Sequence, residues 1–192
     1  MTLLVLGLVI FLGVHSVRIV SDGYRGAFIA RRGLGAWKGL YSVASLVGFV
    51  LIVWGYGQAR QQPVVLWAPI PGAAHAAALL TLVAFILLAA KDVPSNGIKA
   101  RVHHPMVLGV KVWAFAHLLA NHTLADLLLF GSFLVWSIAS FAAARRRDRL
   151  AGTVYPPGRT SRTVLTVVIG VVIWLIFAFW LHGWLIGVRP FG

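Results

Sequence analysis

Six apolar stretches, each near the length needed to cross a bilayer, follow one another along 192 residues with only short polar joints between them. A chain built this way has few folds open to it. A hydrocarbon core about 30 Å thick takes roughly 20 apolar residues in a helix. Inside that core every backbone N–H and C=O must find a partner within the protein, which a helix supplies along its own length. The expected fold class is all-α, a polytopic membrane helix bundle of about six transmembrane helices. No hydrophilic stretch is long enough for a second domain, so a single integral membrane domain is expected, with the lipid bilayer as its first partner. The composition agrees: 60% of the residues are hydrophobic, where soluble domains hold roughly 45–50%.

The expected spans are Thr2–Val20, 38–56, 72–90, 105–121, a fifth from Thr123 to the charge run at 145–149, and 163–187. The first carries no basic residues ahead of its apolar run and no small-x-small cleavage site after it, so it reads as an uncleaved span rather than a signal peptide. The stretch 21–37 is rich in Gly and Arg and reads as a loop; 57–71 holds Pro63, Pro69 and Pro71 and is not expected to be a continuous helix. Pro94, Ser95, Asn96 and Gly97 form a turn signature. Pro105 suits the first position of a helix, which makes His104 its N-cap. Thr123 and Asp126 have the spacing of a capping box. Tyr41, Trp54 and Tyr56 suit interface anchoring. Gly183 and Gly187 match a small-xxx-small contact motif.

Charge sets the orientation. Seventeen Lys and Arg face four acids, Asp22, Asp92, Asp126 and Asp148, and there is no Glu. Such a basic balance in a soluble chain points to nucleic acid; here the charges cluster in short joints between apolar runs, and no nucleic-acid partner is expected. The joints after the first, third and fifth spans hold fourteen Lys and Arg, against Arg60 and Arg189 on the other side. By the positive-inside rule both termini face away from the cytoplasm.

The absence of cysteine removes disulfides, Fe–S clusters and covalent haem attachment. A metal or haem would rest on His, Asp, Tyr or Met. Histidines at membrane depth are costly and functional by default, and the topology sorts the seven into two levels. His15, His103 and His104 lie toward the cytoplasmic side; His75, His117, His122 and His182 lie toward the other. His104 and His117 are thirteen positions apart, roughly 20 Å along a helix, so one small site does not use both levels. His15 and His104, on rigid spans at similar depth, have the donor chemistry for a b-type haem, since neutral imidazole is the ligand form. Arg18, one turn from His15 and on the same face as Asp22 if the helix persists, suits a propionate. Lys111 either snorkels to the cytoplasmic side or meets a propionate. The same histidines equally suit plain interhelical hydrogen bonds or headgroup contacts.

A family resemblance joins these pieces. Val14-His15-Ser16, Lys38-Gly39-Leu40-Tyr41, Pro71-Gly72 with His75, Arg101-Val102-His103-His104-Pro105 and Trp113-Ala114-Phe115-Ala116-His117 resemble, in order and spacing over roughly residues 1–150, the NnrU family. The resemblance implies a bacterial inner-membrane protein associated with denitrification, supporting nitrite and nitric oxide reductase function, with nitric oxide reductase or its assembly factors as partners. The same family includes the plastid 15-cis-zeta-carotene isomerase, a haem b enzyme acting on a cis double bond of a polyene. Its haem-linked histidines carry over to His15 and His104. That relative has Arg before its His-Pro where this chain has His103, which leaves open whether His103 or His104 binds. No catalytic residue follows from the resemblance. A more distant resemblance, to membrane methyltransferases that bind S-adenosylmethionine at an Arg-His-Pro motif, is weakened because the required carboxylate motif is reduced here to Asp148.

The orientation is testable. A reporter active only in the periplasm, fused at the C-terminus, should give signal, and the same reporter fused after Arg147 should stay dark; the reverse pattern would overturn the depth sorting of the histidines.

Overall fold

The computed structural model describes residues 1–191, and these form helices joined by short irregular segments. In chain order they are α1 (Thr2–Val20), α2 (Asp22–Ala59), α3 (Ala73–Asp92), α4 (Gly97–Val102), α5 (Pro105–Ala120), α6 (Leu124–Leu150), α7 (Thr160–Ile176) and α8 (His182–Ile186), with one π-helical turn, Phe177–Leu181, linking the last two. Five apolar helical stretches are long enough to cross a membrane: α1, α2, α3, α6 and the continuous run Thr160–Ile186. The sixth, α5, has 16 residues, about 24 Å of helix, a little under the usual core thickness. The chain is an all-α membrane protein, as its apolar pattern dictates.

The residues separate into two compact units, one made of 1–68 with 122–143, the other of 69–121 with 144–191.

In the first unit α1 and α2 run antiparallel in close contact. Small residues make the approach possible. A Cβ placed on Gly7 would lie 2.6 Å from the backbone nitrogen of Ile52, and one on Gly48 would lie 2.7 Å from that of Phe11. Gly55 meets the backbone of Leu4 in the same way. Between membrane helices no hydrophobic force favours contact over lipid, so van der Waals fit of this kind is what holds them. The outer faces carry large apolar side chains: Val43, Leu46 and Val135 are each more than 60% exposed. In water that surface would be a liability; against acyl chains it is the expected one.

Two expectations for this unit need correction. The stretch 21–37 is not a loop. Helix resumes at Asp22 and runs through Arg32, is interrupted only at Gly33 (φ 84°, ψ 159°), and continues to Ala59. A composition of Gly and Arg suggests a loop, yet only Gly33 takes a backbone conformation that needs glycine; Gly23, Gly26 and Gly35 sit in helix. Correspondingly, α1 stops at Val20 because Ser21 is non-helical (φ −150°, ψ 56°). Asp22 therefore belongs to the next helix and pairs with Arg25 at 3.7 Å, not with the face of His15 and Arg18.

The joint after α2 ends helix at Ala59, as its prolines require, and then adds a feature without sequence signature. Val65 pairs with Thr123 in an isolated antiparallel bridge: the N–H of Leu66 donates to the carbonyl of His122 (2.9 Å), and that of Leu124 to the carbonyl of Val64 (2.8 Å).

In the second unit α3 packs against α5 and α7. Gly109 on α5 sits over the Ala84 carbonyl, where a Cβ would be 3.1 Å away, and Gly170 on α7 lies against the backbone of Ile86. Ala84, Ala90, Ala114 and Ala116 have no exposed surface. The indole N–H of Trp174 donates to Thr81 Oγ1 at 3.1 Å. The turn expected at 94–97 is present, with a short helix after it that the sequence does not announce. Asn96, 1% exposed, organises it. Its amide donates to the carbonyls of Ala90 (2.9 Å) and Val93 (2.6 Å), and its oxygen caps α4 by accepting from the N–H of Lys99 (2.8 Å). Helix α5 begins at Pro105 with His104 as N-cap. The Gly183/Gly187 pair meets no other helix among the described residues; Gly187, at φ 77°, ends α8 in the left-handed conformation, the ordinary use of glycine at a helix C-terminus.

The glycine seam gives a measurable expectation. Gly48→Val forces α1 and α2 apart and should lower the unfolding stability of the detergent-solubilised protein by about 1–3 kcal/mol. Gly57→Ala, on the same helix with open space at its Cα, should be neutral or slightly stabilising.

Candidate functional site

His15 is built into the first unit by its own helix. One turn earlier lies Phe11, whose carbonyl is 2.6 Å from His15 Nδ1. A carbonyl only accepts, so Nδ1 carries the proton, and in the neutral ring Nε2 is left as the lone-pair nitrogen. The ring is half-buried among aromatics: Phe11 stacks on it at 4.2 Å between centroids, Tyr41 of α2 lies at 5.0 Å, and Trp136 of α6 meets it edge-on at 6.1 Å. Tyr41, expected as an interface anchor, also packs against the histidine. Trp136 also lines an apolar groove of about 590 Å³ between α1 and α6, together with Leu12, Ser16 and Gly131. The indole Nε1 of Trp136 is buried without an acceptor among the described residues. Arg18, one turn beyond His15, lies on the same helix near its end.

A second polar cluster in this unit anchors the start of α6. The capping box is formed: the N–H of Asp126 donates to Thr123 Oγ1 (3.3 Å), while Asp126 Oδ2 accepts from the N–H (3.1 Å) and hydroxyl (2.6 Å) of Thr123. The other carboxylate oxygen accepts from the hydroxyl of Tyr56 at 2.5 Å. Asp126 is 5% exposed, and with its oxygens used in this way the burial of a carboxylate is tolerable. His122 Nδ1, close by in sequence, is buried without a partner among the described residues.

In the second unit the His-Pro corner is held by Asp148, which lies in the charged overhang of α6 past its apolar part. Asp148 Oδ2 meets His104 Nε2 at 2.7 Å and accepts from the hydroxyl of Tyr155 at 3.0 Å. Tyr155 stacks flat on His103, with 4.0 Å between ring centroids and 1° between planes. Arg145 donates to His103 Nδ1. His103 itself has φ 66°, a conformation uncommon outside glycine, and it closes α4. Partial desolvation raises the Asp148 carboxyl, but hydrogen bonds from Tyr155 and His104 and the nearby charges of His104 and Arg145 outweigh it and hold the group below the usual carboxylate range. The contribution it makes to this corner is therefore present above the ordinary carboxylate value and is lost as acid reaches the lowered one. Desolvation, followed by the bond to Asp148 and its charge, pushes the Tyr155 hydroxyl up.

The other expected residues lie apart from these clusters. Lys111 is half-buried on α5. His117 Nδ1 donates to the carbonyl of Trp113 at 2.9 Å, and His182 Nδ1 to that of Val188 at 2.6 Å. His75 is exposed at the start of α3. No group of three or more His, Cys, Asp or Glu able to hold a metal ion occurs among the described residues.

A family model described as NnrU protein matches residues 3–190. The chain belongs to the NnrU family. No curated protein and no solved structure matches it.

His15 could hold a haem iron: its ring is pinned through Nδ1, which would leave the Nε2 lone pair for a metal, aromatic side chains surround it, and a ring N–H fixed by a backbone carbonyl is the usual outer-shell arrangement. His104 fits less directly. With Nε2 on Asp148, ligation would run through Nδ1, which is crowded by its own Cβ, or would require Asp148 to release the ring. Sequence reasoning does not find Asp148, Tyr155 and Arg145 as partners of the His-Pro corner; the available signal is an acid standing alone in a basic run. Trp136 carries no signal at all.

The Asp126 cluster yields a stability test. Asp126→Ala removes a cap and leaves the Tyr56 hydroxyl unpaired, and should cost about 1–3 kcal/mol in denaturant unfolding. Adding Tyr56→Phe should recover part of that loss, and a double-mutant cycle without coupling would mean that the two side chains act separately.

Proposed function

We propose that this NnrU-family chain is a haem b-binding protein of the bacterial inner membrane that supports nitrite and nitric oxide reductase function in denitrification. The observation that carries the haem reading is His15: its Nδ1–H is committed to the Phe11 carbonyl at 2.6 Å, which fixes the tautomer and presents Nε2 from an aromatic, apolar surround. The denitrification role rests on family membership and on the resemblance of the motifs around His15 and His104, and nitric oxide reductase or its assembly factors are the partners it implies.

A bound haem would supply a redox-active, Lewis-acidic iron in a membrane site. His15 is the ligand favoured by this geometry, and His104 is the second ligand that the family pattern implies. Asp148 holds the His104 ring through Nε2, which orients His104 for ligation through Nδ1. Arg18 and Lys111 are the cations proposed for the propionates. Phe11, Tyr41 and Trp136 pack around the His15 ring and orient it.

One observation favours a second reading, an isomerase-like haem enzyme acting on a lipid-like polyene. The apolar groove between α1 and α6, about 590 Å³, shares Trp136 with the His15 surround. Its size is in the range of small-molecule sites, and its lining suits a long hydrocarbon.

The purified protein should carry a Soret band. His15→Ala and His104→Ala should each diminish or shift it, His103→Ala less so, and His182→Ala should leave it unchanged. A wild-type protein without pigment after haem supplementation, or His15→Ala and His104→Ala spectra identical to wild type at full loading, would sink the ligation proposal.

A further inference from the structure

The helical segment from Asp22 to Arg32 has no role in the histidine sites, and its form is not explained by orientation alone. The antiparallel register of the first unit places it. Leu4 lies beside Gly55, Phe11 beside Gly48, and His15 at 5.0 Å from Tyr41. Continuing that register brings the end of α1 level with the stretch just after Gly33. Helix α1 has 19 residues, about 28 Å, so it nearly spans the core by itself, and residues 34–59 suffice for the return. The segment between the Ser21 and Gly33 breaks thus lies beyond the paired spans, at the membrane surface.

Its side chains are arranged for that place. Tyr24 and Phe28 are four positions apart and share one face. Tyr24 is 64% exposed. Phe28 is steadied by Trp37, whose ring is 5.6 Å away. Arg31 and Arg32 stand on either side of the Tyr24–Phe28 ridge, and these four with Ala27 enclose an open hollow of about 620 Å³. The segment's one acid, Asp22, is directed to Arg25, which leaves the charge at Arg31 and Arg32 uncompensated by any acid among the described residues. The positive-inside rule needs only the number of basic residues in this joint. A disordered joint would satisfy it equally well, and it does not call for a helix that sets two arginines astride an aromatic ridge.

We propose that the Asp22–Arg32 segment is an interfacial helix that binds an anionic phospholipid, with Tyr24 and Phe28 inserted at the headgroup boundary and Arg31 and Arg32 holding the phosphate. Arginine pairs with phosphate through two parallel N–H donors, and aromatic rings with a polar edge settle at headgroup depth. This inference does not depend on the haem reading.

The test uses the full chain in detergent, native mass spectrometry, and equimolar phosphatidylglycerol and phosphatidylcholine with identical tails. The wild type should retain phosphatidylglycerol over phosphatidylcholine, and raised salt should erode that preference. R31Q/R32Q should lower phosphatidylglycerol retention roughly thirtyfold, since each of the two surface basic residues contributes about 1 kcal/mol, with phosphatidylcholine unchanged. Y24A/F28A should lower both lipids. R159Q/R162Q, in another basic joint, should match wild type. Circular dichroism reports whether each variant is folded, and the salt dependence of the unaltered protein tests the proposal without any substitution. Equal retention of the two lipids by wild type, a salt-independent preference, an unchanged R31Q/R32Q, or an equal loss in R159Q/R162Q would overturn the proposal. Displacement of the lipid by millimolar inorganic phosphate would also overturn it, marking a site for a free anion instead.

Discussion

Water cannot satisfy backbone groups inside a bilayer, and most of this structure follows from that one restriction. The helices meet it along their lengths. The difficulty concentrates at their ends, where four donors or four acceptors lack intrahelical partners, and the polar side chains of the chain collect there. Asn96 donates to two carbonyls at the end of α3 and also caps α4. Thr123 and Asp126 close the start of α6. Where no side chain serves, backbone does, as at Leu66 with His122 and at Arg159 with Ser95. Polar residues that look scattered in the sequence thus have a common task.

Within each unit the complementary problem is contact. Leucine gains nothing by leaving lipid for a neighbouring helix, so the contact surfaces belong to small residues and the lipid surfaces to large ones. Gly7, Gly48 and Gly55 let α1 and α2 meet backbone to backbone, and Gly109 and Gly170 do the same for the helices around α3. At these contacts small residues stand where a soluble core would place large ones, while Leu4, Leu8, Ile52 and Phe130 fill the space beside them. This arrangement also explains how His15 is enclosed. Close approach of α1 and α2 at Gly48 brings Tyr41 within 5.0 Å of its ring, so the glycine seam sets the histidine's surroundings.

These two physical rules divide what is legible in the sequence from what is not. Span length, helix type, the His104–Pro105 start and the Thr123–Asp126 box are legible, because each depends on residues adjacent in sequence or spaced by helix turns. The helix from Asp22 to Arg32 is not, because a glycine and arginine composition points to a loop while only Gly33 needs a loop conformation. Short helix α4 is hidden behind a turn signature, which fixes the chain reversal and leaves the next element open. For the candidate site, His15 and its helix are legible but its cage is not: Tyr41 and Trp136 reach it from other helices. The Asp148–Tyr155 link to the His-Pro corner spans 44 positions from His104, and no local pattern encodes it.

Asp148 shows how much a rare residue type is worth in such a chain. It stands among Arg145, Arg146, Arg147 and Arg149, where mere charge balance would be the simplest account of it. Its contacts argue otherwise. Adjacent residues on a helix do not face one another, so Asp148 is turned away from its immediate basic neighbours and toward His104 and Tyr155. Arg145, three positions back and able to share its face, is itself directed to His103. An Arg and an Asp one turn apart would ordinarily pair with each other; here they divide, one to each histidine of the His-His-Pro corner, while Tyr155 joins the two by stacking on His103 and donating to Asp148. The charged end of α6 is therefore a clamp on residues 103 and 104. Because His103 holds a left-handed backbone that few residues adopt, and His104 must break helix to cap α5, that corner would not keep its shape from local preference alone. The clamp supplies what local preference does not, and it gives the one acid in this basic run a structural task.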